Sequence, residues 1–126
     1  MKQSDLKIMY REFRHYFCPE MPKEIPIQIT RARSYLGCTW QDYTDRTKMG
    51  IYFGKPLMVD WMKIHPRMIT WESVMLHEMC HIWQFVKIPN DREHHSGRFM
   101  DKLRAVERLT GIKQFWDFDE QKGVKW

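Results

Sequence analysis

The sequence predicts an α+β fold, with an N-terminal helix, a small three-stranded sheet and a helical second half. Apolar residues recur at helical spacing near the N-terminus and again after residue 70, whereas extended apolar segments separated by polar and turn residues lie between residues 25 and 53. The chain has 126 residues, of which 43% are hydrophobic and 29% charged. We expect one domain over residues 1–126, because two halves would each be too small for a good core.

The N-terminal half is expected to form the first helix and the three strands. Ser4 is a candidate N-cap, and the apolar residues after it are spaced so that they share one helix face. Alternation predicts the first strand over Ile25–Thr30, and two extended segments, Tyr35–Trp40 and Met49–Phe53, are expected to be the others. The next apolar segment, Leu57–Met62, is ambiguous between helix and strand.

The C-terminal half is expected to be helical. Thr70 is a candidate N-cap for a largely buried helix over Val74–Val86. A last helix is expected from about Ser96 to Leu109, with Gly111 as its end. Its apolar face would consist of Phe99, Leu103 and Val106. The aromatic tail, residues 112–126, has no clear period.

Composition narrows the class of protein and its compartment. The formal net charge is +5, from 21 Lys+Arg against 16 Asp+Glu, and this modest positive charge favours polyanionic partners. The cysteines Cys18, Cys38 and Cys80 form no CxxC pair, so neither a disulfide framework nor a cysteine-built zinc site is expected. No segment approaches the roughly 20 apolar residues of a membrane span, and no apolar leader follows Met1. We therefore expect a cytoplasmic protein without a membrane partner.

The helix after Thr70 contains an HExxH motif, His77-Glu78-Met79-Cys80-His81. Residues four apart lie on one face of a helix, so the two histidines could bind one zinc ion. The glutamate would then take a proton from the metal-bound water. The alternative is a buried helix whose histidines bond to backbone carbonyls, but burying three such polar side chains without a function is costly.

A catalytic zinc ion usually has three protein ligands, so a third ligand is needed. The extended motif with a nearby third histidine is excluded, because Gln84 stands at its glycine position. His95 is the favoured candidate, since Phe99 one turn later would anchor its helix beside the first. The alternatives are the adjacent His94 and, in a gluzincin-like peptidase without a link to DNA, Glu107.

His77–Trp83 is followed, fourteen residues after His81, by the segment His95–Phe99. This arrangement resembles the SprT-like zinc metalloproteases, a family that includes the Spartan-type proteases, which degrade proteins crosslinked to DNA. The family pattern is HExxH, a loop, and a histidine that is followed by a glycine and by an aromatic residue four positions on. Ser96 departs from it, because the family often has glycine there. The order of the upstream elements also fits, and the resemblance covers about residues 4–110.

The resemblance implies a zincin-type active-site helix and a second, ligand-bearing helix. His77, His81 and His95 would bind one zinc ion per chain, and Glu78 would be the general base of a metalloendopeptidase acting on protein substrates. The family also implies that these substrates are bound or crosslinked to DNA. No cysteine follows Cys80, so the cysteine-rich zinc ribbon that helps many relatives hold DNA is not among these residues.

Basic residues offer a different means of binding nucleic acid. Some lie near the end of the first strand and others on the last helix, where aromatic residues of the tail could add stacking. The candidates are Arg31, Arg33, Arg98, Lys102, Arg104 and Arg108, with Trp116 and Trp126 as the aromatics. The plainer interpretation is a solvated helix face and a tail that packs on the core, and the sequence favours it.

A function of another class is also open. Zinc could instead be structural and crosslink two helices in a non-catalytic binding or adaptor module. A structural zinc ion has four protein ligands and no water, and such a site has no need of Glu78. The glutamate therefore favours the catalytic interpretation.

Overall fold

The computed structural model describes residues 1–90 and 97–114, and its elements confirm the α+β fold. In chain order they are the helix α1 (Gln3–Phe13), a 3-10 turn (Arg14–Tyr16), the strands β1 (Ile27–Thr30), β2 (Gly37–Gln41) and β3 (Met49–Gly54), and the helices α2 (Lys55–Ile64), α3 (Trp71–Lys87) and α4 (Arg98–Thr110). None of the helices in this part of the chain is long and apolar enough to cross a membrane.

The three strands form one mixed sheet in the order β1-β3-β2. The central strand β3 pairs in parallel with β1 and antiparallel with β2, so that Ile51 lies between Ile27 on one side and Thr39 on the other. Pro26 directly precedes the edge strand β1, where its missing N–H costs no ladder bond, and its carbonyl accepts from the N–H of Ile51. The other edge strand, β2, is the one against which α3 packs most extensively.

The start of α3 is fixed by a reciprocal cap between Thr70 and Ser73, and the prediction that Thr70 is the N-cap is confirmed. The Thr70 hydroxyl accepts a hydrogen bond from the N–H of Ser73 at 3.0 Å, and the Ser73 hydroxyl accepts one from the N–H of Thr70 at 2.9 Å. These bonds satisfy N–H groups that have no partner within the helix. They also fix the residue at which the helix begins.

Two hydrophobic clusters hold the fold together, and α3 contributes to both. The larger cluster joins α1 and the sheet to one side of α3, and fully buried Leu6 and Ile51 belong to it. The smaller cluster joins the other side of α3 to α4, through Leu76, Cys80, Phe99, Leu103 and Val106. The apolar face predicted for α4 is confirmed, and Gly111 ends this helix in the left-handed conformation at φ 72°. Gly111 is well suited to that conformation because it has no Cβ.

Two details of the N-terminal half differ from expectation. The prediction that Ser4 caps α1 is wrong: the helix begins at Gln3, and the N–H of Lys2 donates to the Asp5 carboxylate at 3.0 Å. The ambiguous segment 57–62 lies within α2, which has a proline in its first turn. A proline fits there because the first N–H groups of a helix have no intrahelical acceptor.

Candidate metal centre

The two motif histidines project from one face of α3 into the protein interior. The exposed fraction is 0% for His77 and 7% for His81, and their ring centroids are 5.2 Å apart. One helical turn separates them, which accounts for this distance. The geometry that the HExxH spacing predicts is therefore present, with two imidazoles side by side.

Glu78 is also fully buried, and its two carboxylate oxygens have different surroundings. Oε1 accepts a hydrogen bond of 2.7 Å from the hydroxyl of Thr39 in β2. Oε2 lies 3.9 Å from Nε2 of His77 and has no hydrogen-bond partner among the described residues. One oxygen is thus held by the sheet, and the other is directed towards an imidazole nitrogen.

Burial changes the proton affinity of this carboxyl group. Removal from water disfavours the charged form and raises the pKa of Glu78 to about 8, and the hydrogen bond from Thr39 opposes this only in part. A carboxyl group whose pKa lies near neutrality is suited to exchange a proton, and such groups occur preferentially at functional sites.

Gly37 allows β2 to approach the carboxylate closely. A β-carbon at this position would lie 2.8 Å from Cγ of Glu78, 2.9 Å from its Oε2 and 2.8 Å from Cγ1 of Val74. Real side chains do not tolerate such distances, so any larger residue at Gly37 would displace α3 or the carboxylate. The glycine therefore determines how deeply Glu78 sits against the sheet.

His81 has a hydrogen-bond partner on its own helix. Its Nδ1 lies 2.9 Å from Oε1 of Gln84, which is itself buried with an exposed fraction of 6%. An amide oxygen only accepts hydrogen bonds, so Nδ1 is the donor and carries the proton of the neutral ring. The lone pair of His81 is then on Nε2, the other ring nitrogen.

Phe99, in the first turn of α4, forms a wall beside both imidazoles. Its ring stacks on that of His81 at a centroid distance of 4.3 Å and meets that of His77 edge-on at 5.1 Å. The prediction that Phe99 anchors the last helix beside the motif is confirmed. The ring also shields the histidine pair from water on this side.

The favoured third ligand, His95, and the alternative His94 lie outside the described residues. The other alternative, Glu107, is eight residues beyond Phe99, about 12 Å along the helix axis. Its Oε2 accepts from the N–H of Gln114 at 2.7 Å. Residues 1–90 and 97–114 contain no group of three or more His, Cys, Asp or Glu side chains placed to hold a metal ion. The structure therefore gives no support to Glu107 as a ligand.

The basic candidates occupy three different environments. Arg31 and Arg33 are exposed at the end of β1, where they line a groove with Lys55, and Arg98 is exposed at the start of α4. The Nζ of Lys102 instead lies over two aromatic rings and donates to a backbone carbonyl at 3.3 Å. Those partners are the rings of Phe17 and Trp83 and the carbonyl of Tyr16. Lys102 thus fastens α4 to the N-terminal region, while Trp116 and Trp126 lie outside the described residues.

Three residues of this site could not be identified from the sequence motif: Thr39, Gly37 and Gln84. The first two lie about forty residues before the motif and reach it only because β2 packs on α3. Gln84 follows His81 by three residues, a spacing that places both on one helix face, and this spacing was the one available indication.

The donors fit a zinc ion. Imidazole nitrogens are common zinc ligands, and Nε2 of His81 is the ring nitrogen that keeps its lone pair. A buried carboxylate oxygen without a hydrogen-bond partner in the described part of the chain lies beside the second imidazole.

Comparison with known proteins adds nothing to this geometry: no family model matches the chain, and neither a curated protein nor a solved structure is similar enough to count as a match.

Proposed function

We propose that this protein is a zinc metalloendopeptidase of the SprT-like type. In this proposal His77, His81 and His95 hold one zinc ion per chain, and Glu78 handles the proton. The observation that carries it is the buried carboxylate with one oxygen held by Thr39 and the other 3.9 Å from His77 Nε2. A helix that merely fills the core would not bury such a group without further partners.

Each residue has a chemical task in peptide hydrolysis. A zinc ion held by His77, His81 and His95 would supply a Lewis acid for the hydrolysis. Glu78 accepts the proton of the attacking water at Oε2 and returns it to the departing amine. Thr39 keeps the carboxylate from rotating during this transfer, and Phe99 limits the access of bulk water to the histidine pair.

The first experiment measures bound zinc and cleavage of an unfolded protein substrate such as labelled casein. We expect about one zinc ion per chain in the wild type, much less in His95→Ala, and an unchanged content in the matched control Glu107→Ala. Glu78→Gln should keep its zinc and lose cleavage, because the amide cannot accept the proton.

Three results would contradict the proposal in different ways. Cleavage that survives Glu78→Gln would refute the role of the glutamate. Zinc lost from Glu107→Ala and retained by His95→Ala would replace the SprT-like ligand set by the gluzincin-like one. Zinc bound tightly without any cleavage, together with unfolding on its removal, would instead favour the non-catalytic module.

Binding of DNA is a second candidate function, and a basic groove favours it. The groove, of about 460 Å³, lies between the end of β1 and the start of α2. Arg31, Arg33 and Lys55 line it, and the carboxylate among its lining residues, Asp60, lies 3.8 Å from Arg33. Three cations against one anion leave a net positive groove that suits the phosphates of a nucleic acid.

Titration with single- and double-stranded oligonucleotides at two salt concentrations tests this function. We expect binding that weakens with salt, and a salt dependence that falls by roughly one ion for each phosphate contact removed in Arg31→Ala or Lys55→Ala. Lys23→Ala, which removes a cation from a different groove, is the control. Wild type that binds neither oligonucleotide at low salt would exclude the groove as a nucleic-acid site.

A further inference from the structure

Gln84 is a buried polar residue that the proposed mechanism does not use. It lies three residues after the motif ends at His81. Its amide oxygen lies 2.9 Å from Nδ1 of His81, and its side chain is enclosed one turn further along α3. A buried amide on a helix rich in apolar residues is costly unless it makes hydrogen bonds. This bond is therefore a specific feature of the site and not an accident of packing.

We infer that Gln84 is a positioning residue of the metal site, which presents Nε2 of His81 as the metal-binding nitrogen. The inference rests on the proposed function. A metal-binding histidine can use either ring nitrogen, and the partner of the other nitrogen decides which one is available. Because the amide oxygen accepts from Nδ1, the proton is kept there and the lone pair stays on Nε2.

The same bond fixes the plane of the ring. Phe99 stacks on one face of the His81 imidazole at 4.3 Å, and the amide of Gln84 holds its edge. Rotation of the ring would break the hydrogen bond and disturb the stack together. The ligand is thus oriented before an ion arrives, which lowers the entropic cost of binding.

The test follows the ring itself and needs no substrate. In metal-free protein labelled with 15N, at an alkaline pH where imidazole is neutral, we expect wild-type His81 to carry its proton on Nδ1. Gln84→Leu, which cannot accept a hydrogen bond, should move the proton towards Nε2. Gln84→Glu, which keeps an acceptor, should restore the Nδ1 proton.

Zinc affinity, measured by competition with a chromogenic chelator, is the second readout. We expect Gln84→Leu to weaken zinc binding about 10- to 100-fold, as is typical when the partner of a ligating histidine is lost. Gln84→Glu should bind at least as tightly as the wild type. Gln28→Leu, the same change at an exposed position of β1, should have no effect.

The outcomes separate this inference from the proposed function. A wild type that binds no zinc would overturn both. Zinc bound equally by the wild type and Gln84→Leu would overturn the role of Gln84 alone, as would a proton found on Nε2 of His81 in the metal-free wild type.

Discussion

At the scale of single residues, Glu78 combines two properties that oppose each other. Its complete burial favours the neutral acid, whereas the hydrogen bond from Thr39 favours the carboxylate. Burial has the larger effect, so the folded protein holds a proton on this group over a pH range in which the unfolded chain has released it. Stability must then depend on pH.

We expect the metal-free protein to become less stable as the pH rises from about 5 to about 8. The pKa of Glu78 is about 8 in the fold against an ordinary value of 4.5, and between these values the folded state binds one more proton than the unfolded state. Its contribution to stability is therefore complete below 4.5 and is lost as the pH rises through 8. Thermal unfolding across this pH range measures the change in stability.

Glu78→Gln should flatten the pH dependence of stability, whereas Glu12→Gln, which changes an exposed carboxyl on α1, should retain it. Equal slopes for the wild type and Glu78→Gln would show that another group is responsible.

At the scale of elements, the contact between β2 and α3 positions the candidate catalytic group. The helix carries Glu78. The strand supplies the hydroxyl of Thr39, and its Gly37, which has no side chain, leaves room for the carboxylate. The strand also pairs with β3 over its whole length, so β2 cannot shift without disturbing the hydrogen bonds of the sheet. A change at this contact therefore affects stability and the carboxylate together.

Gly37→Ala should destabilise the protein by about 1–3 kcal/mol, the usual cost of forcing an extra methyl group into a packed region. The new β-carbon would meet Cγ atoms of Glu78 and Val74 at 2.8 Å, and Glu78 is held in place by its hydrogen bond. Chemical denaturation measures the change in free energy of unfolding. Gln28→Ala, at an exposed position of β1, should change it by less than about 0.5 kcal/mol. If Gly37→Ala were as stable as the wild type, the close approach of β2 would not constrain the site.

At the scale of the whole molecule, the histidine site and the smaller hydrophobic cluster share α4. Leu103→Ala should destabilise the protein by about 2–5 kcal/mol, because it leaves a cavity at a fully buried position. It should also weaken zinc binding, although Leu103 is one turn away from Phe99 on α4. Leu109→Ala is a matched control on the same helix, since Leu109 is 64% exposed and should cost little. Calorimetry and chelator competition measure the two effects, and zinc affinity unchanged in a destabilised Leu103→Ala would separate the site from the cluster.

Much of the fold was predictable because its patterns are local. Thr70 precedes a long apolar segment, and Phe99, Leu103 and Val106 recur at helical spacing before Gly111. The sequence does not identify α2 as a helix, because the exposed apolar residues Val59 and Ile64 obscure the helical spacing of the apolar residues on its buried face. Pro56 in the first turn of α2 is the better indicator.

The candidate site was predictable only in part. The imidazole pair and Glu78 follow from spacing along one helix, which is a local property. The contact of Thr39 with Glu78 joins residues 39 positions apart, so it depends on how the sheet packs against α3. No periodicity in the sequence contains that information.

Phe99 occupies two roles at once, as part of the smaller hydrophobic cluster and as the wall beside both imidazoles. If the proposed zinc ion binds beside this ring, ion binding and docking of α4 are linked equilibria. The free energy by which the ion stabilises docking then equals the free energy by which docking stabilises ion binding. With the proposed zinc site, the free concentration of zinc would set how firmly the N-terminal turn of α4 is docked.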